Sequence, residues 1–292
     1  MNCIEQVVTD QYALYHGDCV EVLRGLPYHS VGYSIFSPPF VSLYTYSNSP
    51  RDMGNVRDEA EFFQHFDFLI AELRRVMKPG RNVSFHCMLM PSSKERDGVI
   101  GLKDFRGDLI RSFQRHGFIY HSEVCIWKDP VTSMQRTKAL GLLHKTVREN
   151  AAMSRQGIPD YLVTMRAPGE CERVTHDPAE YPVDLWQRVA SPVWMDINPS
   201  DTLQYMSARE HDDERHIAPL QLEVIRRGVM LWTNPGDIVL SPFGGIGSEP
   251  YVAVEMGRKA VAVELKASYF RQMVQNVAAA KAKTADLFSE AA

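Results

Sequence analysis

No run of 18 apolar residues occurs anywhere in the 292-residue chain, so no segment is long enough to cross a bilayer as a helix. The start, Met1-Asn2-Cys3-Ile4-Glu5, lacks the basic-then-apolar order of an export signal. These absences predict a cytoplasmic protein with no membrane partner. Cysteine is scarce: Cys3, Cys19, Cys87, Cys125 and Cys171 are odd in number, far apart and never in a Cys-x-x-Cys pair, which argues against a disulfide framework or a zinc site. His16, His65, His86, His116, His121, His144 and His211 are scattered without ligand spacing, and no metal is expected. An excess of one charge is missing too. With 32 basic and 36 acidic residues the formal charge is −4, so any affinity for nucleic acid must come from a local basic surface.

What is present is a rhythm. Through the first 130 residues, apolar runs bounded by turn residues alternate with helical patterns, as in a mostly parallel sheet flanked by helices. The spacing predicts strands over 12–15, 31–36, 82–87 and 118–127. Between the second and third, Phe62, Phe63, Phe66, Leu69, Ile70, Leu73, Val76 and Met77 fall on one stripe and predict a helix over 59–77, ended by Pro79-Gly80. From Pro130 to about Asn198 neither period survives, which reads as an inserted module. The rhythm resumes with a helix over 220–232, a turn at Asn234-Pro235-Gly236, strands at 237–240 and 259–263 around a helix, and a last helix whose end beyond Lys283 is expected to fray. The expected organisation is therefore an α/β fold with halves at 1–129 and 201–292 and a module at 130–200.

In the last part, a strand runs into Ser241-Pro242-Phe243-Gly244-Gly245-Ile246-Gly247-Ser248, glycines that open a helix, and Glu264 closes the next strand 17 residues after Gly247. Glycines let a ligand approach the backbone, and a carboxylate there can accept both hydroxyls of a ribose. Glu249 and Pro250 stand where a dinucleotide fingerprint needs its third glycine, which disfavours NAD. A ligand with ribose but no pyrophosphate fits better. S-adenosylmethionine is one, and its positive sulfonium suits a loop flanked by Asp237 and Glu249.

Near the start, Ser37-Pro38-Pro39-Phe40 follows the apolar strand 31–36, at the C-terminal end where open α/β sheets place ligands. Two prolines fix φ and remove two N–H donors, leaving carbonyl oxygens free to accept. Amino methylation needs such acceptors, because the base nitrogen's lone pair is delocalised into the ring. Hydrogen bonds accepted from its N–H groups by the Ser37 hydroxyl and a proline carbonyl favour the tetrahedral, nucleophilic form. Phe40 would stack on a base turned out of the duplex. None of the five cysteines follows a proline, so the nucleophile of ring-carbon methylation is missing and an amino group is the remaining target.

The order of these motifs resembles the β-group DNA amino-methyltransferases: catalytic motif first, target-recognition region in the middle, methyl-donor motif last. Ser37 to Phe40 is similar to that family's (Asp/Ser/Asn)-Pro-Pro-(Tyr/Phe) motif and Ser241 to Ser248 to its Asp-Pro-Phe-x-Gly-x-Gly-Thr motif, with Ser241 in place of Asp and Ser248 in place of Thr. The resemblance implies a class I S-adenosylmethionine-dependent methyltransferase fold, Rossmann-like with a mixed sheet. It implies that Asp18 of Gly17-Asp18 faces the donor's adenine, and that His216, Pro219 and Gln221 help wrap its methionine end. Phe36 and Ser37 border the donor, as do Ser241, Pro242, Phe243, Gly244, Gly245, Gly247, Ser248 and Glu264. Trp127-Lys128 matches the strand leading into the recognition region. Serine at position 37 occurs with both adenine-N6 and cytosine-N4 targets; the similarity to stand-alone phage and prophage enzymes favours adenine. It also implies double-stranded DNA as partner and a homodimer.

Between Met134 and Arg166, Arg136, Lys138, Lys145, Arg148, Arg155 and Arg166 stand against Glu149 and Asp160, a local net of +4 in an acidic chain. These basic side chains would neutralise phosphates, while Gln135, His144 and Gln156 could reach base edges. Arg51, just past the catalytic turn, is a second candidate for DNA contact. Direct transfer followed by proton loss to solvent requires no strong general base. Two other readings stay open: methylation of protein glutamine, whose enzymes place the donor motif before the catalytic one, and a non-catalytic DNA-binding regulator.

Overall fold

A computed structural model describes residues 2–39, 59–137, 140–204 and 219–290. In chain order the elements are β1 (Glu5–Val8), β2 (Tyr12–His16), α1 (Cys19–Arg24), β3 (Val31–Phe36), α2 (Glu59–Val76), β4 (Met77–Met88), β5 (Met90–Ser92), α3 (Lys94–Asp97), β6 (Gly101–Lys103), α4 (Phe105–Arg115), β7 (Ile119–Ile126), α5 (Pro130–Thr137), α6 (His144–Glu149), β8 (Asp160–Arg166), α7 (Val183–Val189), β9 (Val193–Trp194), α8 (Leu222–Trp232), β10 (Ile238–Ser241), α9 (Ser248–Glu255), β11 (Lys259–Glu264) and α10 (Ala267–Glu290). Among the described residues nine strands form one sheet in the order β1-β2-β11-β10-β3-β4-β8-β7-β9. The run from β2 to β4 is parallel, and β1 and β8 are antiparallel to their neighbours. Among the described residues no helix is long and apolar enough to cross a membrane.

The sheet is built from both ends of the chain, as the alternation of runs predicts. β3 is buried at every position, so its side chains need apolar cover on both faces. α1, α2 and α4 supply one layer, with Phe62, Phe66 and Leu69 against Phe36, Val83 and Phe85. α8, α9 and α10 supply the other, with Val224, Ile225 and Phe270 against Tyr33, Ile35 and Leu14.

The stretch 130–200 is not a module outside the sheet. β8 lies between β4 and β7 and pairs with both. Its burial is nearly complete on both faces, and a strand of that kind shows no alternation in sequence. The pairing divides the stretch in two. Asp160, at the start of β8, is opposite Met88 and Ile126, the last residues of β4 and β7. Residues 127–159 therefore leave and re-enter the sheet at the edge where β3 and β4 end. Arg166 lies opposite Asn82 and Ile119 at the far edge, so the chain from 167 to 192 starts there, away from the strand ends that carry the predicted site.

Candidate active site

β3 continues through α2 to β4 on one side, while β10, its other neighbour, continues through α9 to β11 on the opposite side. A reversal of this kind opens a crevice at the C-terminal ends of the strands. Ser37-Pro38-Pro39 leaves β3 there, and Pro242-Phe243-Gly244 leaves β10 beside it. The register Val239↔Tyr33 and Leu240↔Ser34 makes the strands neighbours, and the Ser34 hydroxyl donates to the Leu240 carbonyl at 2.9 Å. Phe36, fully buried, has its ring centroid 5.7 Å from that of Phe243. Two motifs more than 200 residues apart thus share one wall.

The glycine loop after β10 is held by backbone bonds. Gly244 N–H donates to the Val263 carbonyl at 2.7 Å, and Gly247 N–H to Gly244 at 2.8 Å. Gly245 and Gly247 have φ of 53° and 94°, the left-handed region that glycine enters without a Cβ penalty. A Cβ at Gly247 would come within 2.9 Å of Met273, whereas one at Gly245 meets nothing within 4 Å among the described residues. Glu264 closes β11: one carboxylate oxygen accepts from Gly245 N–H at 2.8 Å and the other from Lys266 N–H at 2.7 Å. These bonds fix its orientation at the end of the strand. Asp18 caps α1 by accepting from Glu21 N–H at 3.0 Å; it follows Gly17, whose N–H donates to the Glu264 carbonyl at 2.9 Å.

The loop suits a polar ligand. Ser241 Oγ, Ser248 Oγ and Gln221 Oε1 are buried with no hydrogen-bond partner among the described residues, a costly state that a bound polar group would relieve. Pro219 is half-buried just before Gln221. Ribose at Glu264 and polar groups at these three atoms are compatible with the expected donor.

Two expectations about charge are corrected. Asp237 is at the start of β10, the end away from the crevice, where it ion-pairs with Arg81 and with Lys78 at 3.6 Å. Glu249 is buried in the first turn of α9; burial, reinforced by nearby Glu264, pushes its carboxyl up to about 8, so it is mainly neutral at pH 7. Neither carries a charge to a sulfonium. The raised value makes a stability prediction. A carboxyl with a higher pKa folded than unfolded contributes stability below its unfolded value, near 4.5, and loses it as pH rises through about 8. Glu249→Gln removes that loss. Thermal melts should show its Tm close to wild type at pH 5 and above it by several degrees at pH 8.

In the turn after β3, Pro38 is buried and Ser37 and Pro39 are half-buried. Ser37 Oγ lies 3.2 Å from Nδ1 of His86, and His86 Nε2 lies 2.8 Å from Oδ2 of Asp160. Lys128 also ion-pairs with Asp160. Burial raises the Asp160 carboxyl, but the charges and hydrogen bonds of His86 and Lys128 outweigh it and hold it down to about 2. Sequence reasoning missed this array: His86 was one of the scattered histidines, and Asp160 was counted as a surface acid, whereas it is 2% exposed.

Phe40, Arg51, Lys138 and His216 lie outside the described residues. Of the predicted DNA contacts, Gln135 is exposed on α5, which also carries Arg136; His144, Lys145 and Arg148 are exposed on α6; and Gln156 is exposed before β8. Lys145 pairs with Glu149 at 3.4 Å. Arg155 is half-buried, with Nε and Nη1 lacking a partner among the described residues, and desolvation lowers its pKa. Arg166 leaves the group for the far edge. By sequence, the stretch 127–159 has six basic residues, Lys128, Arg136, Lys138, Lys145, Arg148 and Arg155, against Asp129 and Glu149. Among the described residues no group of three or more His, Cys, Asp or Glu is placed to hold a metal ion.

Residues 34–275 match a family described as DNA methylase. The chain is 23% identical over 261 residues to the type II methyltransferase M.BglII of Bacillus subtilis, covering 88% of this chain and 66% of that protein, so it spans just under two thirds of that relative. It is 24% identical over 267 residues to the DNA adenine methyltransferase YhdJ of Escherichia coli strain K12, covering 88% of this chain and 80% of the relative. A solved structure of TTHA0409 from Thermus thermophilus, complexed with S-adenosyl-L-methionine, shares the fold with a TM-score of 0.68 and 23% identity, over 93% of this chain and 96% of that one.

Proposed function

The chain belongs to the DNA methylase family, and on that premise we propose that it transfers a methyl group from S-adenosylmethionine to the exocyclic amino group of a base in duplex DNA, with adenine N6 as the target. One observation carries the reading: Ser37-Pro38-Pro39 and the glycine loop after Ser241 leave adjacent parallel strands at one crevice, with Phe36 packed on Phe243. An acceptor-lined turn is thereby set beside a site suited to a ribose-bearing ligand. When bound, the donor supplies an electrophilic methyl on a sulfonium. The protein orients the amino nitrogen: the Ser37 hydroxyl and a proline carbonyl accept from its N–H groups and turn its lone pair outward. Proximity and fixed acceptors account for the rate.

A base reaches such a crevice only when flipped from the duplex. The connection 127–159 stands over the same edge and carries the basic residues, which supports DNA as substrate. Lys145 and Arg148 act on phosphates in this reading. Lys145→Ala with Arg148→Ala should weaken binding to all duplex sequences alike and lower the slope of log K against log salt by about 2; fluorescence anisotropy between 50 and 200 mM salt checks this. Adenine is favoured by the name of the E. coli relative. Glutamine methylation is disfavoured because residue 37 precedes residue 244.

The test is single-molecule sequencing of DNA from a methylation-free host expressing the protein. N6-methyladenine in one sequence context is expected. N4-methylcytosine would reassign the base, and unmodified DNA from cells holding folded protein would overturn the proposal.

A further inference from the structure

Resting on that function, we propose that Ser37, His86 and Asp160 form a proton relay in which His86 receives, through the Ser37 hydroxyl, the proton that the methylated nitrogen must lose. Three elements converge to build it. Ser37 follows β3, His86 is on β4 and Asp160 starts β8, at distances of 3.2 Å and 2.8 Å along the line. Among the described residues, the charged groups paired with the imidazole and its partner are Asp160 from β8 and Lys128 from the segment after β7.

The electrostatics assign each proton. Asp160 is ionised, so it accepts from Nε2–H and fixes the tautomer that leaves the Nδ1 lone pair toward Ser37. The Ser37 O–H then donates to Nδ1, and its oxygen lone pairs are turned to the substrate. A serine held this way offers only acceptors, as a carboxylate would.

In the transfer step, the amino nitrogen's lone pair bonds to the methyl carbon while the carbon–sulfur bond breaks and its electron pair stays on sulfur. The cationic nitrogen gives a proton to Ser37 Oγ as the hydroxyl proton passes to His86 Nδ1. The imidazolium donates from both nitrogens, to Ser37 and Asp160, and returns its proton to solvent after product leaves. His86 is a positioning and relay residue and does not touch the base.

The experiment compares wild type, His86→Gln and His86→Ala in single-turnover transfer to duplex DNA from pH 5 to 8.5, with donor affinity measured by calorimetry. Wild type should slow as the pH is lowered. His86→Gln should bind donor within about twofold of wild type, run about 100-fold slower and lose that pH dependence; added imidazole should partly restore His86→Ala. Independently of turnover, the ¹⁵N spectrum of histidine-labelled wild type without DNA or donor should show, at pH 8, one ring absent from His86→Gln with Nε2 protonated and Nδ1 bare. His86→Gln within threefold of wild type with an unchanged profile overturns the relay, as does a ring protonated at Nδ1. If wild type transfers nothing to DNA, the proposed function fails and the relay with it; if it methylates DNA and His86→Gln is equally fast, only the relay fails.

Discussion

Ser37→Ala should slow methyl transfer to duplex DNA by about 100- to 1,000-fold while leaving donor affinity within about twofold of wild type. In the proposed relay the hydroxyl has two tasks: its oxygen accepts from the amino group, and its proton is donated to His86 Nδ1, 3.2 Å from Ser37 Oγ. Alanine removes both and leaves the glycine loop and Glu264 untouched. Single-turnover rates with saturating donor isolate the chemical step. Because Ser37 and His86 act as one unit, the double variant Ser37→Ala/His86→Gln should be no slower than Ser37→Ala alone. Additive losses would separate the two residues, and a Ser37→Ala enzyme as fast as wild type would remove the catalytic role altogether.

Gly245→Asp should abolish donor binding, with Kd rising at least about 100-fold, equivalent to about 2.7 kcal/mol. The position has φ of 53°, and a Cβ there meets nothing within 4 Å among the described residues; in the proposed function the loop borders the donor, so a carboxylate added here competes with the ligand. Gly245 N–H donates to Glu264 at 2.8 Å, so a second carboxylate would stand close to the first. Gly245→Ala adds a methyl group alone and should cost about tenfold. Calorimetric titration measures both, and a thermal melt close to wild type shows that the fold survives. Donor binding unchanged in Gly245→Asp would place the ligand elsewhere.

Much of this architecture was readable because its signals are local. The helix stripe from Phe62 to Val76 and the strand-turn-helix at Ser241 to Ser248 each lie within one stretch of chain, and their elements stand where the spacing predicts. β8 was not readable, since burial on both faces erases alternation and Asp160 and Thr164 break the apolar run. Its antiparallel register is what aligns Asp160 with Met88 and brings it to His86. Asp237 and Glu249 misled for a related reason: sequence gives nearness along the chain, whereas charge at a site depends on which end of the strand holds the residue and on burial. Asp237 is spent on Arg81 and Lys78 at the far end of β10.

The central claim, methylation of an exocyclic amino group in DNA, is tested most directly by incubating purified protein with duplex DNA and S-adenosylmethionine carrying a tritiated methyl group, hydrolysing the DNA to nucleosides and separating them by chromatography. The account predicts label in N6-methyladenine, present with wild type and nearly absent with Ser37→Ala. Label recovered in protein, or in no nucleoside at all under conditions where calorimetry shows the donor bound, would contradict it.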